Sequence, residues 1–78
     1  MEHQEKRARN NTEYIVVTND KGVEYKFKFQ DEGEGFTPTT LGATDEDGLT
    51  EACDYLSDQG YNIVMGRLRP LGFEYEQN

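Results

Sequence analysis

The sequence predicts a small α+β fold, in which one helix packs on one face of a small antiparallel sheet, in the order strand, strand, helix, strand, strand. Strict alternation of apolar and charged side chains over 23–29 predicts a strand with one buried face. Apolar residues recur at helical spacing over 47–58, which predicts an amphipathic helix. A chain of 78 residues has room for one such domain.

The first half of the chain carries the two clearest strand signals. β-branched and aromatic residues over 13–18 predict the first strand, and 19–22 forms a turn in which Gly22 is able to adopt a positive φ. In the second strand, alternation predicts a buried face made of Val23, Tyr25, Phe27 and Phe29. The opposite, solvated face is then expected to carry Glu24, Lys26 and Lys28.

The middle of the chain changes from loop-forming to helix-forming composition. Residues 31–43 mix glycine, acid, proline and threonine, which predicts a long loop. Thr44 is a good helix N-cap, and the acidic residues directly after it suit the positive end of the helix dipole. The helix is predicted over 45–59, with Gly60 as its left-handed stop.

The ends of the chain complete the predicted organisation. Two further strands are expected after the helix, over 61–68 and 73–76. Residues 1–12 are polar and lack periodicity, so they are predicted to form a flexible tail, with 13–78 as the single domain. The tail does not resemble a signal peptide, no run is long enough to span a bilayer, and a single cysteine excludes an internal disulfide. These features favour a cytoplasmic setting.

The distribution of charge marks one candidate binding surface. The net charge is −8, and no lysine or arginine occurs between residues 31 and 58. On the helix, one apolar face gathers Leu49, Ala52, Cys53 and Leu56. The opposite face carries, within about 60°, Asp47, Glu51, Asp54 and Asp58. We predict that this stripe binds a cationic partner, with help from the loop residues Asp31, Glu32 and Glu34.

Two interpretations of this acidic stripe stay open. It is either a solvated face that keeps the protein soluble, or a docking surface for a basic partner. Like charges at helical spacing destabilise a helix by about 0.2–0.5 kcal/mol per pair, which is unexpected in a helix that serves solubility alone. Direct binding to nucleic acid or to an anionic membrane is disfavoured by the net charge of −8.

No motif for catalysis or for a cofactor is present, so we predict that the chain is not an enzyme. The only histidine, His3, lies in the predicted tail, where nothing is expected to hold it. Cys53 is expected to be a structural core residue with a protonated thiol. One cysteine and one histidine do not make a zinc site, and only loose divalent-ion binding is conceivable, in the loop at 31–34.

No sequence motif identifies a family. In size, charge and organisation the whole chain resembles the small acidic inhibitors that phages use against host defence or DNA-handling proteins, including anti-CRISPR proteins. The resemblance implies a nucleic-acid mimic that acts as an inhibitor or adaptor on a basic, nucleic-acid-binding protein in the host cytoplasm. The alternative is a structural or virion accessory protein that forms oligomers through its sheet edges, with an acidic surface that serves only solubility.

Overall fold

The computed structural model describes residues 1–30, 35–42, 45–64, 66 and 68–72. Within these residues, the elements are β1 Glu2–Arg7, β2 Glu13–Thr18, β3 Glu24–Gln30, β4 Gly35–Gly42 and α1 Glu46–Asp58. The strands form one sheet in the order β1-β2-β3-β4, and all neighbours are antiparallel. The prediction of an antiparallel sheet with one helix is confirmed. The predicted order is wrong, because the helix follows all four strands.

The prediction of a flexible tail over 1–12 is wrong, because the edge strand β1 lies within it. β1 pairs in unbroken register with the whole of β2, from Glu2↔Thr18 to Arg7↔Glu13. Its side chains are all polar, so they give no apolar period by which the strand could be recognised. The backbone ladder to β2, which depends on residues elsewhere in the chain, makes this segment a strand.

A tight connection joins β1 to β2. The N–H of Ala8 donates to the Thr12 carbonyl at 2.9 Å, and the N–H of Asn11 donates to the Ala8 carbonyl at 2.9 Å. Asn11 has a φ of 72°, a left-handed conformation that asparagine tolerates better than most residues. The turn thus extends the ladder between β1 and β2 beyond Arg7 and gives the first hairpin a defined end.

The prediction of a loop over 31–43 is wrong for residues 35–42, which form β4 beside β3. Phe36 is buried, and its ring meets that of Phe29 edge-on with 5.1 Å between centroids. Glycine and proline have low strand propensity and hide this strand in the sequence. Pairing with β3 outweighs that local preference, and a register shift between Tyr25 and Phe27 accommodates the irregular sequence.

The chain after the helix does not form the strand predicted over 61–68, as far as that segment is described. It follows the outer edge of β4 instead, through two isolated parallel bridges, Phe36↔Ile63 and Thr39↔Arg69. Backbone hydrogen bonds of 2.8 to 3.0 Å accompany both bridges. The outer edge of β4 is therefore partly covered by the chain itself. The strand predicted over 73–76 lies outside the described residues.

The helix forms where the sequence predicts it and is one residue shorter at each end. Its N-cap is Asp45, whose carboxylate accepts a hydrogen bond from the N–H of Gly48 at 2.9 Å. Thr44, the predicted N-cap, lies outside the described residues. Gly60 has a φ of 96° and closes the helix as predicted. With 13 residues and a polar side, α1 cannot cross a membrane, and the described part of the chain has no other helix.

The main core lies between α1 and one face of the sheet. Its most deeply buried members are Ile15, Val17, Tyr25, Phe27, Ala52 and Leu56. The predicted inward face of β3 and the predicted apolar face of the helix therefore meet each other. The other face of β2 is also buried, since Tyr14 and Val16 form a smaller hydrophobic cluster with Ala8.

The face of the sheet opposite α1 is less solvated than the sequence predicts. Lys26, expected in solvent, is only 8% exposed and pairs with Val16 of β2. The ammonium of Lys26 lies 3.4 Å from the Glu24 carboxylate. Four consecutive residues of β2, from Tyr14 to Val17, are buried, so this strand is covered on both faces. Alternation within β3 alone could not reveal that its neighbour would shield Lys26.

Candidate binding surface

The packing of α1 determines which of its side chains face solvent. Ala52, Cys53 and Leu56 are buried against the sheet, and Leu49 packs beside them. Because successive helical residues are 100° apart, the opposite side must point outwards. The exposed residues on that side are Asp47, Glu51, Asp54 and Asp58, which we call the acidic helix face. The structure thus brings together the four helical residues that the sequence marks as partner-binding candidates.

The acidic helix face forms no ion pair within the described part of the chain, and the last turn of α1 contains no basic residue. The carboxylates follow one another at intervals of three or four residues, about 4.5–6 Å along the helix axis. Each such pair of like charges costs about 0.2–0.5 kcal/mol. The helix therefore carries a regular row of negative charges that form no ion pairs among the described residues.

Asp45 anchors the start of α1 to the core. One of its carboxylate oxygens accepts the bond from Gly48, and the other accepts a hydrogen bond from the Tyr25 hydroxyl at 3.0 Å. Burial raises the pKa of Tyr25, and the hydrogen bond and charge of Asp45 raise it further, with a smaller effect from Glu51. The Tyr25 hydroxyl therefore keeps its proton at neutral pH and continues to donate it to Asp45.

A groove of about 490 Å³ extends the acidic helix face towards the turn between β2 and β3. Its acidic walls are formed by Asp20, Asp45, Asp47 and Glu51. Two cations also line it, Lys21 and the amino-terminal ammonium of Met1, which lies 3.2 Å from the Asp20 carboxylate. The acidic surface is thus larger than predicted, since Asp20 and Asp45 are not among the predicted binding residues. The spacing of residues within α1 could not predict that the turn between β2 and β3 lies beside the helix.

The other predicted binding residues, Asp31, Glu32 and Glu34, lie outside the described residues. The strands on either side of them end near the C-terminal end of α1, since Gly35 lies against Asn62. The N–H of Phe36 also donates to the Asn62 carbonyl at 2.9 Å. Gly35 and Phe36 therefore lie beside the chain that leaves α1, whereas the acidic groove lies at the start of α1. The contribution of the three loop acids stays a prediction.

The prediction that nothing holds His3 is wrong. Its Nδ1 lies 2.7 Å from the Tyr55 hydroxyl, and its ring meets the rings of Tyr55 and Tyr61 edge-on at centroid distances of 5.4 and 5.6 Å. Burial raises the pKa of Tyr61 to about 12, and a hydrogen bond to Glu5 contributes to the shift. His3 and Glu5 therefore fasten the edge strand β1 to the C-terminal end of α1 and the residues just after it.

Cys53 and the carboxylates do not combine into a reactive site within the described residues. Cys53 is 4% exposed, and burial, followed by the charge of Asp54, raises the pKa of its thiol to about 11. The thiol is therefore protonated at neutral pH, which makes it a poor nucleophile and metal ligand. In the same residues, no group of three or more histidine, cysteine, aspartate or glutamate side chains is placed to hold a metal ion.

Comparisons with protein-family models, with curated proteins and with solved structures find no match for this chain. The chemistry of the surface must therefore be inferred from its own residues. A rigid helix carries four exposed carboxylates in a row, and a groove with further carboxylates adjoins it. Such an arrangement is able to attract and orient positive charge.

Proposed function

We propose that this chain is a small, non-catalytic inhibitor or adaptor that docks on a basic protein surface through the acidic helix face and the adjoining groove. The supporting observation is the row of four exposed carboxylates on a helix whose other side is packed into the core. Packing fixes the positions of the charges, so little freedom is lost when a partner binds. Fixed negative charge also accelerates and orients the approach of a positive surface.

The proposed partner surface is one that otherwise binds nucleic acid. Each strand of a DNA duplex presents one negative charge per about 3.4 Å of helix axis. The acidic helix face presents carboxylates about 4.5–6 Å apart along one line. A groove of lysine and arginine residues that fits a phosphate backbone would therefore also attract this helix. The resemblance to acidic phage inhibitors supports the same class of partner in the cytoplasm of a host cell.

The first experiment identifies the partner and tests its electrostatic character. The tagged protein is incubated with a lysate, and captured proteins are compared with and without about 0.5 M salt, since added salt weakens contacts between exposed charges. A specific partner should be lost at high salt. With that partner purified, the association rate constant should fall steeply as ionic strength rises, while dissociation changes less.

The decisive variant is Asp54→Lys combined with Asp58→Lys. If the acidic helix face docks on the partner, the double reversal should weaken binding by tenfold or more, mainly through slower association. The same change should slightly stabilise the isolated protein, because it removes repulsion and places a cation at the end of the helix. Surface plasmon resonance and urea unfolding measure the two effects. A solvated face predicts the gain in stability with no loss of binding.

A matched control separates the position of a charge from the net charge. Asp54→Asn and Leu68→Lys raise the net charge by the same amount, and Leu68 is an exposed residue outside α1. Asp54→Asn should weaken binding clearly more than Leu68→Lys. Equal effects would mean that the partner responds only to overall charge, and binding that survives the double reversal would remove the acidic helix face from the interface.

A further inference from the structure

The outer edge of β1 offers backbone hydrogen-bonding groups. The bond from the Ala8 N–H to the Thr12 carbonyl makes these residues a hydrogen-bonded pair at the end of the ladder between β1 and β2. Such pairs alternate along an antiparallel ladder. The residues whose N–H and C=O groups point away from β2 are therefore His3, Glu5 and Arg7. Among the described residues, no strand or bridge pairs with this edge.

The two edges of the sheet differ in how they are protected. The chain after α1 runs along β4 through two bridges, whereas β1 has no such cover in the described residues. Proteins commonly block an open edge with a proline, a β-bulge or charged side chains, which repel strands of like charge. β1 has no proline or bulge and keeps a continuous register over its six residues, so its four charged side chains decide which strand is able to pair with it. Its backbone is therefore in the extended, regular form that another strand needs for pairing.

The edge is also held rigidly before any partner arrives. His3 contacts Tyr55 and Tyr61, and Glu5 bonds to Tyr61, so the side chains on the helix side of β1 are already ordered. An ordered strand loses less conformational entropy on association than a mobile one. Pairing with β2 fixes the backbone on the other side. The edge is thus preorganised for the addition of a strand.

We propose that a second copy of this chain pairs with the outer edge of β1, antiparallel and centred on Gln4. The pattern of charges selects this register. It places Glu2 opposite Lys6, and the two-fold symmetry repeats this pair. A centre at Glu5 would place Glu5 opposite Glu5, and a centre at Lys6 would place Lys6 opposite Lys6. The sequence of β1 is therefore self-complementary around Gln4.

The resulting dimer has one continuous sheet of eight strands. A two-fold axis perpendicular to the sheet keeps both helices on the same face. The acidic helix faces stay exposed, because each α1 packs on its own sheet through its apolar side. The dimer would present two acidic surfaces side by side. Its formation does not depend on what those surfaces bind.

Charge variants test both the dimer and its register. At about 0.2 mM, the native chain should sediment with twice its monomer mass of 9.0 kDa. Glu2→Lys places lysine opposite Lys6, and Lys6→Glu places glutamate opposite Glu2, so each variant alone should dimerise at least about tenfold more weakly. An equimolar mixture of the two should restore a dimer that contains one chain of each kind, as seen by native mass spectrometry.

Disulfide trapping provides a second, independent measurement. In the proposed register, the two Gln4 residues form a non-hydrogen-bonded pair with Cα atoms about 4.5 Å apart, a distance that a disulfide spans. Gln4→Cys should therefore form a cross-linked dimer under mild oxidation. Glu2→Cys is the control, since its two copies would lie about 14 Å apart. The native Cys53 is buried and should not interfere.

Three results would overturn the proposal. The first is a native chain that stays monomeric at the highest concentration. The second is a mixture of the two charge variants that fails to associate although each variant is folded by circular dichroism. The third is a Glu2→Cys variant that cross-links as readily as Gln4→Cys. The last result would show association in another register or through another surface. Because Gln4→Cys leaves Glu2 and Lys6 unchanged, misfolding of a charge variant does not decide the outcome.

Discussion

At the scale of single residues, Gly48 shows how a missing side chain positions the start of α1. A Cβ atom at this position would collide with the Tyr25 hydroxyl and with the carboxylate of Asp45. These are the groups that bond the helix cap to the core. From the sequence alone, Gly48 counts only as a loss of about 1 kcal/mol relative to alanine. In the structure, its absence of a side chain permits the contact between the cap and β3.

The substitution Gly48→Ala should therefore destabilise the protein, although alanine is the better helix former. Displacing Tyr25 and Asp45 costs about 1–3 kcal/mol, which offsets or exceeds the gain of about 1 kcal/mol in helix propensity. The loss should shrink in a Tyr25→Phe background, because the colliding hydroxyl is then absent. Thr50→Ala, at an exposed position of the same helix, is the control and should be nearly neutral. Urea unfolding measures the native protein, both single variants, the double variant and the control, and a more stable Gly48→Ala protein would contradict the interpretation.

Two further side chains make stability depend on pH in the alkaline range. Burial raises the pKa of Cys53 from 9.0 to about 11 and that of Tyr61 from 10.0 to about 12. The unfolded chain loses these protons first, so deprotonation favours unfolding. The free energy of unfolding should be level below about pH 9 and fall as the pH rises towards 12.

Urea midpoints between pH 8 and pH 12 check this alkaline profile. Tyr61→Phe should reduce the fall in stability between about pH 10 and 12, and Cys53→Ala should reduce it between about pH 9 and 11. Cys53→Ala should also cost about 1–2 kcal/mol at neutral pH, because it leaves a small cavity in the core. A native protein whose midpoint does not change up to the highest pH would show that neither proton is held by the fold.

At the scale of elements, β1 matters most, because its residues look dispensable in the sequence. β1 pairs with β2 along its whole length, and His3 and Glu5 connect it to Tyr55 and Tyr61. The sequence indicates that deletion of residues 1–12 leaves the melting temperature almost unchanged. The structure indicates the opposite, because deletion would expose the edge of β2 and uncover Ile15 and Val17, which are fully buried.

Deletion of residues 1–8 should therefore lower the melting temperature by well over 10 °C or prevent folding, as expected when several kcal/mol are lost from a small domain. His3→Ala is the milder companion. It keeps the backbone ladder but removes the contact with Tyr55, so it should cost about 1 kcal/mol. Thermal denaturation followed by circular dichroism measures both. An unchanged melting temperature after the deletion would show that β1 adds no stability.

At the scale of the whole molecule, the excess of negative charge opposes folding. The net charge is −8, and the acidic helix face forms no ion pair in the described residues. Packing the charges into a compact structure brings them closer together than in the unfolded chain, so repulsion among them lowers stability. Salt screens interactions between exposed charges.

The free energy of unfolding should consequently rise with sodium chloride, by about 1 kcal/mol between about 0.02 and 0.5 M. The variant with Asp54→Lys and Asp58→Lys should respond less, because part of the repulsion has been removed. Chloride is preferable to sulfate, which also stabilises proteins by exclusion from their surface. Stability that falls with salt would mean that attractive pairs such as Arg7 with Glu13, 2.6 Å apart, outweigh the repulsion.

The candidate surface could be predicted only as far as local periodicity reaches. The acidic helix face follows from the sequence, because the apolar positions of α1 determine which side must face the sheet. Asp20 joins the same surface through a turn 27 residues before Asp47, and no spacing rule connects the two positions. The sequence predicts Asp45 in the first turn of the helix, whereas its role as a cap bonded to Tyr25 depends on where β3 lies.

The sequence by itself determined β2, β3 and α1, together with the apolar side chains that β3 and α1 pack into the main core. In β3 and α1 the apolar residues repeat with the period of the element, whereas in β2 they form a continuous run that is covered on both faces. The tertiary structure alone decided that β1 and β4 are strands, that His3 is held, and that the helix comes after the whole sheet. The physical reason is that these features depend on backbone hydrogen bonds and contacts between distant segments. A polar edge strand, or one rich in glycine and proline, acquires its structure from the neighbour with which it pairs.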